Sequence, residues 1–109
     1  MYAKKHFRVM QDGSTRSVLA LCDAGLLGKS FEQGSAVLDL NANSSFYKGN
    51  KVSEKQAGAL LKEALEDSRS SLNVVGEKSV ACLRKAMPSF NEKSVKKVAG
   101  VPHAHVYRV

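Results

Sequence analysis

The sequence lacks the long apolar run that a membrane-spanning helix requires. No stretch approaches the roughly 20 consecutive apolar residues that cross a bilayer. The N-terminus, MYAKKHFRVMQDG, has basic residues but no apolar segment followed by a small-residue cleavage site, so it does not predict a secretion signal. We therefore expect neither a membrane protein nor an exported one.

Cysteine is scarce, and the common metal-binding spacings are missing. Cys22 and Cys82 lie far apart in segments that are predicted to be buried, which indicates two reduced thiols. There is no CxxC pair and no HExxH helix. We expect no metal site and no cofactor.

The sequence also lacks the motifs of nucleotide hydrolysis and of nucleophilic catalysis. LGKS (27–30) resembles the end of a Walker A loop, but Asp23 stands where that motif needs its first glycine. No Ser-His-Asp or Cys-His arrangement and no catalytic pair of carboxylates is visible. An enzyme is not expected. The amides around Gly28, together with Lys29, could still hold one phosphate of a nucleic acid.

Acidic residues are few beside the basic ones. The 109 residues include 17 Lys and Arg against 10 Asp and Glu, which gives a net charge of +7. An excess of this size in a short chain favours polyanionic partners such as RNA. The alternative is that the lysines only keep the protein in solution.

The local patterns predict an α+β domain over residues 1–109. Residues 2–9 and the apolar run around 18–22 flank an Asp12-Gly13 turn and predict a β-hairpin. AVLDL (36–40) predicts another strand, after which Phe46 and Tyr47 anchor a polar loop.

Two helices are predicted in the second half of the chain. The capping box Ser53-Glu-Lys-Gln56 begins a helix that ends near residue 68, and its internal Gly58 indicates close packing. A second helix is predicted from Asn73 or Gly76 to Met87, where Pro88 ends it. Short β segments follow in SVKKVAG and HAHVYRV. This order favours a small, mostly antiparallel sheet with two helices packed on one face.

Basic residues concentrate near both ends of the chain. If the terminal strands were neighbours, one region of the sheet would collect most of the positive charge, with Phe7 and Tyr107 as stacking platforms for bases. Lysines on edge strands also protect those edges from pairing, so a purely structural role is the alternative. The predicted nucleic-acid-binding residues are Lys4, Lys5, Arg8, Arg16, Lys29, Lys96, Lys97 and Arg108.

The tail GVPHAHVYRV carries two histidines, one residue apart. On a strand, His103 and His105 share a face. Zinc needs three or four protein ligands, and no further ligand stands at a suitable spacing. We therefore interpret the pair as mainly structural, on the solvent face of an edge strand or hydrogen-bonded near a loop.

Three motifs, LCDAGLLGKSFEQG (21–34), LNVVGEKSV (72–80) and GVPHAHV (100–106), occur in register. In this order they resemble an archaeal family called domain of unknown function 424. The resemblance covers nearly the whole chain, although His105 stands where the family commonly has Gln or another residue, and the basic charge is unusual beside acidic relatives. The matching positions are Cys22, Asp23, Gly28, Lys29, Phe31, Asn73, Gly76, Glu77, Gly100, Pro102 and His103.

The resemblance implies an archaeal, cytoplasmic α+β protein and supplies no catalytic residues. Family members are discussed beside translation and RNA-handling proteins. We therefore expect a non-enzymatic module that binds RNA or associates with the ribosome. One alternative is a small enzyme or ligand-binding domain with a site near Gly28, Lys29 and His103. Another is a structural subunit that uses an apolar patch around Phe46 and Tyr47 to bind a protein partner.

Overall fold

The computed structural model describes residues 1–106. In that range the chain forms eight strands and three α-helices. The helices are α1 (Ser44–Tyr47), α2 (Glu54–Glu66) and α3 (Glu77–Ala86). The strands are β1 (Tyr2–Val9), β2 (Thr15–Cys22), β3 (Ser30–Gln33), β4 (Ala36–Asp39), β5 (Asn50–Lys51), β6 (Ser70–Val75), β7 (Lys96–Val98) and β8 (Val101–Val106).

The main sheet of the described chain has six strands in the order β5-β1-β2-β6-β8-β7. Only β2 and β6 are parallel within it, and the other neighbours are antiparallel. A parallel pair needs a crossover connection, and α2 lies in the segment that joins β2 to β6. The remaining strands, β3 and β4, form a separate antiparallel hairpin. The predicted α+β class with a mostly antiparallel sheet is confirmed.

One face of the sheet packs against α2 and α3 and forms the larger core. Leu19 and Leu21 of β2 alternate toward this face, and Leu72 and Val74 of β6 do the same. They meet the apolar stripes of the two helices, whose buried members include Ala57, Leu61, Val80 and Leu83. The prediction of two helices on one face is therefore confirmed.

The predicted capping box begins α2. The Ser53 hydroxyl accepts a hydrogen bond from the Gln56 amide at 3.1 Å, and the Gln56 side chain accepts one from the Ser53 amide at 2.9 Å. The expected close packing of Gly58 is wrong, because a Cβ atom built there would meet nothing within 4 Å. This part of α2 borders an open groove beside α3 instead.

The opposite face of the sheet is covered by the β3–β4 hairpin and by α1. Ala20, Cys22 and Val75 point to this side and pack with Leu40 and Tyr47. The predicted anchoring by the aromatic pair is confirmed, since Tyr47 is buried and Phe46 packs against the same cluster. Tyr47 is buried and Phe46 is half-buried, so the pair exposes only part of its apolar surface, at the cleft beside β4.

Three details of the chain order differ from the predictions. Of the two predicted starts of the second helix, Gly76 is correct because it is the N-cap residue of α3, whereas Asn73 lies in β6. The segment 41–51 is not only a loop, because it contains α1 and β5. β8 is not an edge strand, since it lies between β6 and β7.

The interior of the protein contains both cysteines. Cys22 and Cys82 are both free and buried, as predicted for reduced thiols. Within residues 1–106, no helix is long and apolar enough to cross a membrane. In the same range, no group of three or more His, Cys, Asp or Glu side chains could hold a metal ion.

Candidate nucleic-acid interface

The β1–β2 hairpin presents an exposed aromatic ring among basic side chains. Eight residue pairs hold its strands together, from Tyr2–Cys22 to Val9–Thr15. Toward the turn the hairpin leaves the core, so Phe7 is 68% exposed and Val9 is 72% exposed. An apolar ring this exposed is available to stack on a ligand.

Basic groups lie on both faces of this hairpin. Lys5 shares the Phe7 face, and its Nζ atom lies 5.3 Å from the centre of the Phe7 ring. Arg8 and Arg16 lie opposite each other in the register and point to the other face. The hairpin end is therefore positively charged on both sides. We call the surface formed by Lys5, Phe7, Arg8 and Arg16 the hairpin surface.

Lys4 and His6 connect the same strand to α1. The Lys4 Nζ atom donates to the Ser45 carbonyl oxygen at 2.7 Å. The His6 ring stacks on the Phe46 ring with centroids 4.3 Å apart, and its Nε2 atom lies 2.8 Å from the Phe46 carbonyl oxygen. These contacts fix α1 against β1, so both side chains have structural partners near the hairpin surface.

The C-terminal lysines do not join the hairpin surface. Lys96 and Lys97 lie on β7, at the opposite edge of the sheet from β5 and β1. Four strand spacings separate β1 from β7, or about 19 Å at ~4.8 Å per spacing. The expectation that the terminal strands are neighbours is wrong, because β2 and β6 separate β1 from β8. Tyr107 and Arg108 lie outside the described residues.

Two amides of the Gly28 loop are already paired within the protein. The Gly28 amide donates to the Leu40 carbonyl oxygen at 2.9 Å, and the Lys29 amide donates to the Leu26 carbonyl oxygen at 3.1 Å. These two amides are therefore not available to a phosphate, whereas the Lys29 side chain is exposed. Neither Gly28 nor Lys29 lines the clefts beside His103.

The first two motifs meet at the N-terminus of α3. Asp23 accepts three hydrogen bonds there: from the Lys78 amide at 3.0 Å, the Ser79 amide at 2.8 Å and the Ser79 hydroxyl at 2.7 Å. This carboxylate satisfies helix amides that otherwise lack partners. Gly76 has φ +110°, and a Cβ atom there would collide with the Asp23 side chain. Capping of α3 therefore explains why the chain has Asp at position 23 and Gly at position 76.

Other motif residues are also structural. Cys22 is fully buried, and burial raises the pKa of its thiol to about 12, with the neighbouring Asp23 charge adding to the effect. Phe31 packs against the core on the β3–β4 side. The Pro102 carbonyl oxygen accepts a hydrogen bond from the Gly76 amide at 2.8 Å.

Gly100 belongs to the turn between β7 and β8. It has φ +81°, and the preceding Ala99 has φ +50°. Two consecutive positive φ angles are typical of a tight two-residue hairpin turn. Glu77, the remaining motif residue, is the acidic residue of the first turn of α3, where a negative charge favours the helix dipole.

Residues of the third motif belong to a second polar region, which lies on the sheet face opposite α2 and α3. The Tyr47 hydroxyl donates to the Asn73 side-chain oxygen at 3.0 Å. His103 and His105 lie beside this pair on β8, with ring centroids 5.9 Å apart. As predicted, the two histidines share one face. Sequence reasoning did not select Tyr47 or Ser79 as site residues, since their partners lie 26 and 56 positions away.

These features define an α+β domain with a basic β1–β2 hairpin and a separate polar histidine region beside α1. Residues 11–109 match the family model described as "Protein of unknown function (DUF424)", so the chain belongs to that family. A solved structure described as an uncharacterized conserved protein from Methanopyrus kandleri is similar, at 24% identity and a TM-score of 0.76. The match covers 100% of this chain and 93% of that one. No curated protein matches.

Proposed function

We propose that this protein is a non-enzymatic RNA-binding module that contacts single-stranded RNA through the hairpin surface. The observation that carries the proposal is the exposure of Phe7 among basic side chains. Aromatic rings that stand free on a sheet stack on unpaired bases, and nearby lysines and arginines neutralise the phosphates. The net charge of +7 supports the same class of partner.

Ribosomal or translation-related RNA is the partner class that we propose, in the cytoplasm of an archaeal cell. This assignment rests on the family resemblance and on the charge. The DUF424 description names no activity. Affinity purification under low salt, followed by sequencing of the recovered RNA, tests the assignment. Enrichment of ribosomal RNA over other cellular RNA supports it, and recovery of no RNA contradicts it.

A salt titration tests RNA binding itself. Protein binding to a fluorescent single-stranded RNA is measured by anisotropy across a series of salt concentrations. The hairpin surface has three cations, Lys5, Arg8 and Arg16, so we expect a log–log slope of about −2, since each neutralised phosphate contributes about −0.7 on a single strand. Arg8→Ala should reduce the steepness of the slope by about 0.7.

The matched control is Lys62→Ala. Lys62 is an exposed cation on α2, on the helix side of the molecule and outside the hairpin surface. Its removal changes the net charge as Arg8→Ala does and should leave the slope nearly unchanged. Equal effects of the two variants would show that bulk charge alone binds the RNA. A salt-independent affinity would refute the proposal.

A further inference from the structure

The region around His103 and His105 is a cleft that the hairpin proposal does not use. It measures about 390 Å³, which lies within the range of small-ligand sites. β4 and α1 form its walls, and β6 and β8 form its floor. Its polar lining includes Asp39, Asn43, Asn73 and the two histidines, beside the rings of Phe46 and Tyr47.

A second cleft adjoins the first at the histidine pair. It measures about 440 Å³ and is lined by Ser94, Lys96 and both histidines. Lys96 lies directly opposite His103 in the β7–β8 register, so both side chains point to the same face. A ligand that lies across the two histidines would therefore extend from the aromatic rings of α1 to Lys96.

One buried hydrogen-bonding atom in the first cleft lacks a partner in the described part of the chain. It is the Nδ1 atom of His103. Buried polar groups in folded proteins are nearly always paired. The Asn73 oxygen accepts a hydrogen bond from the Tyr47 hydroxyl, which orients the Asn73 amide at the same cleft. A ligand with a complementary polar edge would pair the His103 nitrogen and lie against this oriented amide.

The charge state of the histidines narrows the class of ligand. Burial, the neighbouring His105 and the nearby Lys96 lower the pKa of His103, and burial lowers the pKa of His105. The lowered pKa values favour the neutral form of both rings, and the neutral His103 ring has one donor nitrogen and one acceptor nitrogen. Neutral donors and acceptors beside aromatic rings suit the edge of a planar heterocycle, whereas Lys96 suits an anion.

We propose that these joined clefts bind one nucleotide. Its base lies against the rings of α1 with its polar edge at Asn73 and His103, and its phosphate lies at Lys96. The nucleotide is either free in solution or part of an RNA strand, and the same recognition serves both. The inference goes beyond the hairpin surface and does not depend on it.

The His6 and Asp39 contacts preorganise this site. His6 stacks on the Phe46 ring and holds α1 in place. The Asp39 carboxylate accepts hydrogen bonds from the Asn41 amide at 3.0 Å and the Ala42 amide at 2.9 Å. These bonds order the segment between β4 and α1, so the wall of the cleft is formed before any ligand binds.

NMR chemical-shift titration tests the proposal. The isotope-labelled protein is titrated separately with AMP, GMP, CMP and UMP, with inorganic phosphate, and with a short single-stranded RNA. At least one nucleotide should shift the signals of Asn73 and His103, and should bind at least tenfold more tightly than inorganic phosphate. If only the RNA shifts these signals, the site takes a nucleotide within a strand.

Two neighbouring lysines supply a matched pair of variants. Lys96→Ala should weaken nucleotide binding about tenfold, whereas Lys97→Ala should leave it unchanged, since Lys97 lies opposite Pro102 and points to the other face. A further variant, Asn73→Leu, should abolish the preference for nucleotide over phosphate; thermal unfolding confirms that each variant is folded.

Three results would overturn the proposal. The first is the absence of shifts at the cleft with any nucleotide or RNA. The second is equal binding of inorganic phosphate and nucleotides, and the third is an equal effect of the two lysine variants. Phe7→Ala separates this site from the hairpin surface, because it should leave binding of free nucleotides unchanged even if RNA binding fails.

Discussion

The carboxylate of Asp23 should be among the most important polar groups for stability outside the core. It caps α3 from a distant position in the chain and accepts hydrogen bonds from Lys78 and Ser79. Losing a helix cap costs about 0.5–2 kcal/mol. The Ser79 hydroxyl is fully buried, and leaving such a group unpaired costs about 1–3 kcal/mol more. We expect Asp23→Ala to lower the free energy of unfolding by about 2–4 kcal/mol.

Urea unfolding followed by circular dichroism measures this change. The midpoint should fall with an unchanged slope m, since the fold is retained. The melting temperature should fall by about 10–20 °C, at ~5 °C per kcal/mol for a domain of this size. In the double variant Asp23→Ala/Ser79→Ala, part of the loss should be recovered, because the unpaired hydroxyl is removed as well.

Asp12→Ala is the matched control. Asp12 also accepts hydrogen bonds from an amide and a hydroxyl, those of Ser14, but it does so in an exposed turn. Its removal should change stability far less than the removal of Asp23. A loss below about 0.5 kcal/mol for Asp23→Ala, which is within the range of ordinary surface substitutions, would refute the capping account.

Three further predictions follow from burial and packing. Gly58→Ala should raise the free energy of unfolding by about 1 kcal/mol, because the added methyl meets no neighbour; a loss in urea unfolding would contradict this. The lowered pKa values of His103 and His105 mean that the unfolded chain binds more protons, so stability should fall as the pH drops from about 7 through the folded-state pKa values. His103→Gln should flatten this pH dependence in urea titrations, and an unchanged profile would contradict the prediction. Cys22, with its pKa raised to about 12, should be alkylated by iodoacetamide only after unfolding, as mass spectrometry would show; rapid labelling of the folded protein would contradict this.

The elements with strong local signals could be predicted from the sequence. The Asp12-Gly13 turn between two apolar strands predicted the β1–β2 hairpin, and the Ser53–Gln56 capping box located the start of α2 correctly. Pro88 correctly marked the end of α3. In each case the interaction that forms or ends the element joins residues only a few positions apart, so a short stretch of sequence contains the whole signal.

The sheet order could not be predicted in this way. The segment SSLNVV (70–75) has a serine-rich start and lies between the predicted end of the first helix near residue 68 and the predicted start of the second helix at Asn73 or Gly76, so the sequence predicts no strand there. Its strand character comes from burial between β2 and β8, which depends on the parallel crossover. Because β6 lies between the hairpin and the C-terminal strands, the basic residues form two groups instead of one.

The same difference between local and distant interactions separates the two candidate sites. Phe7 and its basic neighbours could be selected from the sequence, because they lie close together in the chain and exposure at a hairpin end needs only the hairpin. The sequence also named His103 as part of a possible ligand site, but with Gly28 and Lys29 as its partners. The cleft is lined by Asn73 and Tyr47 instead, which come together only after three separate segments pack on one face of the sheet. Their separation in the chain leaves no spacing that a motif search could detect.

The affinity of Phe7→Ala for single-stranded RNA tests the central proposal most directly. Val9→Ala is its control, because Val9 is an equally exposed apolar residue on the same face of β1 but cannot stack on a base. Stacking contributes about 1–3 kcal/mol per base, so Phe7→Ala should weaken binding by about 5-fold to 150-fold, whereas Val9→Ala should leave the dissociation constant nearly unchanged. Equal affinities for wild type, Phe7→Ala and Val9→Ala would contradict recognition of RNA by the hairpin surface.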